Sequence, residues 1–115
     1  MQKKMQKDFQ SIMEQELKNH LISYCRGPRR GISAAQLAAN FKTTERQIRA
    51  LIRHMRVDRK VPICGTPGDS FFWPENAEQT KQTLRSLKSR KEALEELIDS
   101  LTDAINKQFG APRLF

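Results

Sequence analysis

Two helix-start signals, Ser33-Ala-Ala-Gln36 and Thr44-Glu-Arg-Gln47, stand so close together that the helix opened by the first can run for only about two turns. In each, the hydroxyl can accept from the amide three residues on while the glutamine reaches back, which satisfies two donors that a helix start otherwise leaves orphaned. Leu37, Ala38 and Phe41 supply the inner face of a short helix to about Asn40. Lys42-Thr43 separate it from a second helix that runs to about Asp58. At about 100° per residue, Ile48, Leu51, Ile52 and Met55 gather on one side of that second helix. The chain must therefore be built around two short, one-sided helices joined by a tight turn.

The flanks follow from the same kind of punctuation. From Lys3 to Tyr24 the apolar residues Met5, Phe9, Ile12, Met13, Leu17, Leu21 and Tyr24 recur at helical steps, and Gly27-Pro28 ends the run. A basic loop, Arg26 to Arg30, leads into the helix pair. After the pair, Val61–Cys64 and Ser70–Trp73 are β-prone runs on either side of Gly65–Asp69, and Pro62 and Pro74 confine them to edges or ends of a small hairpin. Phe71 and Trp73 point to one side of their strand and Phe72 to the other; packing against the two terminal helices is the simpler use for them. Asn76-Ala-Glu-Gln79 is a third capping pattern, and no Gly or Pro follows until Gly110, so one helix of about 30 residues and about 45 Å is expected, with an irregular tail.

A chain of 115 residues supports one core with appendages. No apolar run is long enough for a bilayer, and the lysine-rich start lacks the apolar segment of a secretory leader. Cys25 and Cys64 are too few for a disulfide framework and have no partner at metal-ligand spacing, so buried, reduced thiols are expected. His20 and His54 have no nucleophile or carboxylate at a telling spacing, and no glycine-rich phosphate loop is present. The chain thus reads as a non-enzyme with no cofactor. Charge is the stronger clue: residues 1–60 hold 14 basic against 5 acidic side chains, and residues 61–115 hold 7 against 8. That asymmetry favours a polyanion, and nucleic acid ahead of a membrane surface, because no Trp or Phe face accompanies the basic residues.

Helix, short helix, tight turn, second helix and hairpin follow in that order. The segments Ile32-Ser-Ala-Ala-Gln-Leu-Ala38, Phe41 and Thr44-Glu-Arg-Gln-Ile48 resemble the two-helix unit of bacterial and phage winged helix-turn-helix proteins. Ile63 with Phe71-Phe-Trp73 is similar to the wing of that family. The resemblance implies a mainly α fold with a small β-hairpin, in which residues 17–74 form a winged helix-turn-helix. An N-terminal helical extension (1–16), a long C-terminal helix (75–109) and a tail (110–115) flank it. Its core would hold Ile32, Leu37, Ala38, Phe41, Ile48, Leu51 and Ile52. Lys42 and Thr43 depart from the family pattern of a turn glycine and a small aliphatic residue, and Lys42 is then expected to adopt a left-handed backbone.

On the outer face of the second helix Arg46 and Arg53 fall nearly opposite the apolar side, with Arg49 and Arg56 on one flank, so the four make a stripe. Arginine's planar fork can donate two parallel hydrogen bonds to guanine or pair with phosphate. In this motif the helix start enters the groove, which implicates Arg46 and Gln47 in base contacts, with Thr44 reaching a phosphate; Arg56, Arg59 and Lys60 come later and suit phosphates. The hairpin loop carries an acid, Asp69, and no base. A solvated surface is the alternative use of the stripe.

Leu84, Leu87, Leu94, Ile98, Leu101 and Ile105 alternate by three and four, broken by Lys91, as in a coiled-coil seam that would join two copies. Packing within the chain against the Met5 to Leu21 stripe is the alternative. The helix is basic early (Lys81, Arg85, Lys88, Arg90, Lys91) and acidic late (Glu92, Glu95, Glu96, Asp99, Asp103), against its own dipole, and orientation in a pair stays open. The expectation is a cytoplasmic, nucleoid-associated binder of double-stranded DNA with sequence preference, acting as a dimeric transcriptional regulator or a phage or plasmid accessory factor. The rival is a replication or recombination accessory protein that recruits a partner protein through its long helix.

Overall fold

A computed structural model describes residues 2–66, 68 and 70–110, with side chains from Phe9 onward. The Met5 side chain, Asp69 and the tail 111–115, on which parts of the sequence reading fall, lie outside those descriptions. The elements are α1 (Gln2–Tyr24), a 3-10 turn (Pro28–Arg30), β1 (Ile32–Ser33), α2 (Ala34–Asn40), α3 (Glu45–Val57), β2 (Cys64–Thr66), β3 (Ser70–Phe72) and α4 (Ala77–Phe109). The protein is thus mainly helical, with four α-helices and a small antiparallel sheet among the described residues. Two compact units divide within α4, the first ending at Thr83 and the second beginning at Leu84.

The sheet has three strands in the order β1-β3-β2, where a two-stranded hairpin was expected. Ile32 pairs with Phe71 and Ser33 with Ser70, so the residues just before α2 close one edge. β2 starts at Cys64 rather than Val61. Lys60 has φ 56°, which folds the chain so that the Val61 amide donates to the Met55 carbonyl at 2.9 Å and the Ile63 amide to Val61; these amides are spent before a ladder can begin. Cys64 pairs with Phe72, and both are buried on the face opposite Phe71. The aromatic run therefore leaves neither Phe71 nor Phe72 exposed. Trp73 lies beyond β3 in an isolated parallel bridge with Arg26, half-buried, with Lys18 Nζ 6.0 Å from its ring.

One core holds the first unit together. Leu17, Leu21 and Cys25 of α1 and its exit, Ala34, Leu37 and Ala38 of α2, and Ile48, Ile52 and Met55 of α3 pack with Ile63 and Phe71; Ile32, Phe41 and Leu51 lie against its edge. Thr83 exchanges hydrogen bonds with the backbone of Gly65 at 3.3 and 3.4 Å, tying the opening turns of α4 to β2. Both cysteines are free and buried, and burial pushes the Cys25 thiol above its ordinary value of 9.0.

The second unit is the rest of α4. The helix spans 33 residues, none of them buried. Its start is capped by Asn76, whose side chain accepts from the Gln79 amide at 3.0 Å, while the Gln79 side chain accepts from the Glu75 amide at 2.8 Å.

Candidate nucleic-acid interface

The site is built by how α2 stops and α3 starts. Ser33 forms the full reciprocal capping box with Gln36. At the other end, Lys42 has φ 54°, the Thr43 amide donates to Ala38 at 2.9 Å and the Lys42 amide to Ala39 at 3.4 Å. This is the paired-bond helix stop that usually places glycine where Lys42 stands. The left-handed lysine expected from the sequence is present, and it turns the chain sharply enough for α3 to begin within a few residues.

Thr44 caps α3 by accepting from the Gln47 amide at 3.2 Å, but the expected box is only half made. The Thr43 hydroxyl donates to Gln47 Oε1, so that oxygen is engaged by the turn and does not reach back to the Thr44 amide. Thr43 thus redirects Gln47 and pins the start of α3 to the turn.

The two faces of α3 are sharply separated. Ile48, Ile52 and Met55 are buried, whereas Thr44, Arg46, Gln47, Arg49 and Arg53 are exposed. Arg56 sits differently: half-buried, its Nε donates to the Ile63 carbonyl at 2.8 Å and its guanidinium carbon lies 5.5 Å from the Phe71 ring centroid. It ties α3 to the sheet. Arg59 turns toward α1, with Nε 3.5 Å from Glu14 Oε2, and keeps over half of its side chain exposed; Lys60, in its left-handed turn, is exposed. The stripe therefore divides into outward-facing Arg46, Arg49 and Arg53 and an inward-braced Arg56.

A second brace escaped the sequence reading. His54 Nδ1 lies 2.6 Å from Asp58 Oδ2, one turn along, and Nε2 lies 2.7 Å from Glu14 Oε1 on α1. The latter contact is close but not aligned along the ring N–H, and neither atom has a hydrogen-bond partner among the described residues. Glu14 thus faces both His54 and Arg59, holding the end of α3 against α1. Asp58 does stand at one-turn spacing from His54, a carboxylate that the sequence reading passed over, whereas nothing in the local pattern announces Glu14, far from both partners in the chain.

No family model, curated protein or solved structure matches the chain. Among the described residues no group of three or more His, Cys, Asp or Glu could hold a metal ion, and no helix is long and apolar enough to cross a membrane. The concentrated feature is cationic: three exposed arginines on a helix whose other side is locked into a core. Such a surface suits polyanions, because each fork can donate paired hydrogen bonds to phosphate or to a base edge.

Proposed function

We propose that α2, the Lys42 turn, α3 and the three-stranded sheet form a winged helix-turn-helix that binds duplex DNA with sequence preference, α3 lying in the major groove. The observation that carries the reading is the separation of faces on α3: Arg46, Arg49 and Arg53 are exposed together, opposite Ile48, Ile52 and Met55, which are at most 2% exposed. A helix rigidly seated on one side and arginine-bearing on the other is what base-edge recognition in a groove requires. Arg46, Arg49 and the Gln47 amide are the base-reading candidates. Thr44, Arg53, Arg59 and Lys60 are assigned to phosphates. Arg56 contributes charge from its seat against the sheet.

Pairing through Leu84, Leu87, Leu94, Ile98, Leu101 and Ile105 would bring two such helices to one duplex, as in a dimeric regulator or a phage or plasmid accessory factor working at the nucleoid. The second reading, an accessory protein that recruits a partner protein through α4, is favoured by the exposure of Leu84, Leu87, Leu94, Ile98 and Leu101. Binding to duplex DNA over a range of salt separates the two. A steep fall of affinity with salt, together with a preferred site selected from random duplexes, supports the regulator. Arg46→Ala and Arg49→Ala should each weaken specific binding by about 1–3 kcal/mol and relax preference at one position. Unchanged affinity in both single variants and in the double variant would refute base reading by α3.

A further inference from the structure

The seam of α4 is open along its length: Leu84, Leu87, Leu94, Ile98 and Leu101 are 41% to 58% exposed. In the first unit Leu17 and Leu21 of the other long stripe are spent inside that unit's own core, while Phe9 and Ile12 stay exposed. A second copy of α4 is the occupant whose shape repeat matches the seam. The direction in which that copy runs is set by charge, and the inference below rests on the reading that α4 pairs with itself.

A parallel, in-register pair lays Lys81, Arg85, Lys88, Arg90 and Lys91 along the same residues of the second copy, and Glu92, Glu95, Glu96, Asp99 and Asp103 along theirs. It also sets Lys91 directly against Lys91 at one seam layer, like charge on like in the place most removed from water. Reversing one helix removes both conflicts. When Leu84 faces Leu101 of the second copy, Leu87 faces Ile98 and Lys91 faces Leu94, and every apolar seam residue from Leu84 to Leu101 keeps an apolar layer except Leu94.

The same register is the one that matches charge. The basic stretch 81–91 of each helix then lies beside residues 94–104 of the other, which include Glu95, Glu96, Asp99 and Asp103. Lys88 flanks the seam opposite Glu95 of the second copy. Arg90 comes opposite Leu97, which is 55% exposed off the seam, and whose side chain the arginine stem can cover. Lys91 already leans toward Glu95 of its own helix, at 3.9 Å, so its charge leaves the seam at its edge. A parallel pair would also set one opposite-charge contact, Arg90 beside Glu95 of the second copy, so the deciding difference is the seam layer: only the antiparallel register separates Lys91 from Lys91 while pairing Lys88 with Glu95.

We propose that α4 pairs antiparallel with a second copy about a two-fold axis passing near Glu92 and Ala93. The test is a spin label at Lys107→Cys in the full chain, read by pulsed dipolar spectroscopy. Light scattering on the same sample gives the mass, and the protein without the added cysteine controls for labelling of buried Cys25 and Cys64. Lys107 lies about 14 residues from the axis, so at 1.5 Å per residue and about 10 Å between helix axes the labels should stand about 44 Å apart. That distance in a dimer supports the proposal. A distance near 33 or 54 Å marks a slip of one heptad and overturns the register, and one under about 20 Å marks a parallel pair and overturns the orientation while leaving pairing intact. No dipolar signal at monomer mass overturns the pairing itself.

Discussion

Replacing Arg56 with Ala separates the two uses to which α3 puts its arginines. The variant loses a hydrogen bond from a charged donor to the part-buried Ile63 carbonyl, worth about 1.5–3 kcal/mol when the carbonyl is left without a partner. It also loses the guanidinium contact with Phe71, worth about 0.5–1 kcal/mol. Allowing for side-chain freedom regained and water reaching the carbonyl, the net loss should be about 2–3 kcal/mol, whereas Arg53→Ala on the exposed face should stay within about 0.5 kcal/mol of the parent. Arg56→Lys keeps charge and stem but cannot place a donor where Nε stands, and should recover less than half. Urea unfolding followed by tryptophan fluorescence reports the first unit specifically, because Trp73 is the single tryptophan. Equal midpoints for Arg56→Ala and Arg53→Ala, with equal slopes, would refute the division between a bracing arginine and an exposed one.

Lys42→Gly should stabilise the protein by about 0.5–1 kcal/mol, since φ 54° is a conformation that glycine adopts without strain; thermal unfolding checks it, and an unchanged or lower midpoint counts against a strained turn. Cys25 sets an alkaline limit. Its thiol stays protonated in the fold to higher pH than its ordinary 9.0, so the unfolded state releases its proton first. Stability should be level with respect to this group below pH 9.0 and fall as pH rises toward the raised native value. Cys25→Ala should flatten that alkaline decline relative to the parent, whatever its effect on stability at neutral pH, and a parallel decline would exclude the thiol as its cause.

Much of the architecture was legible because local chemistry and tertiary structure agree here. The Ser33 box, the Asn76 cap, the Gly27-Pro28 stop and the left-handed Lys42 each depend on residues a few positions apart, and each stands where its chemistry places it. Of the features that escaped, some depend on distant partners and others on a neighbour that competes with the expected one. β1 has two residues, too short for any alternation to show, and exists because β3 offers it an edge. The late start of β2 follows from the turn at Lys60, which a β-prone run starting at Val61 does not disclose. A helical wheel puts Arg56 with the other arginines, yet cannot show that the chain beyond α3 returns a carbonyl and a ring to that flank. Gln47 was read as half of a box with Thr44, but the hydroxyl of Thr43 competes for its oxygen.

Ser33 belongs to two elements at once: it pairs with Ser70 in the sheet and caps α2 with its side chain and backbone. There is consequently no linker between β1 and α2, and so no hinge at that junction. A fluctuation that lifts β1 from β3 also strips the first turn of α2 of its cap, and α2 cannot fray from that end without disturbing Ser33. Sheet and helix pair should therefore open together as one cooperative segment rather than as two, and a force applied at the hairpin reaches the base of α2 without slack. The aim of α3 is held by the sheet through this shared residue as well as through Arg56.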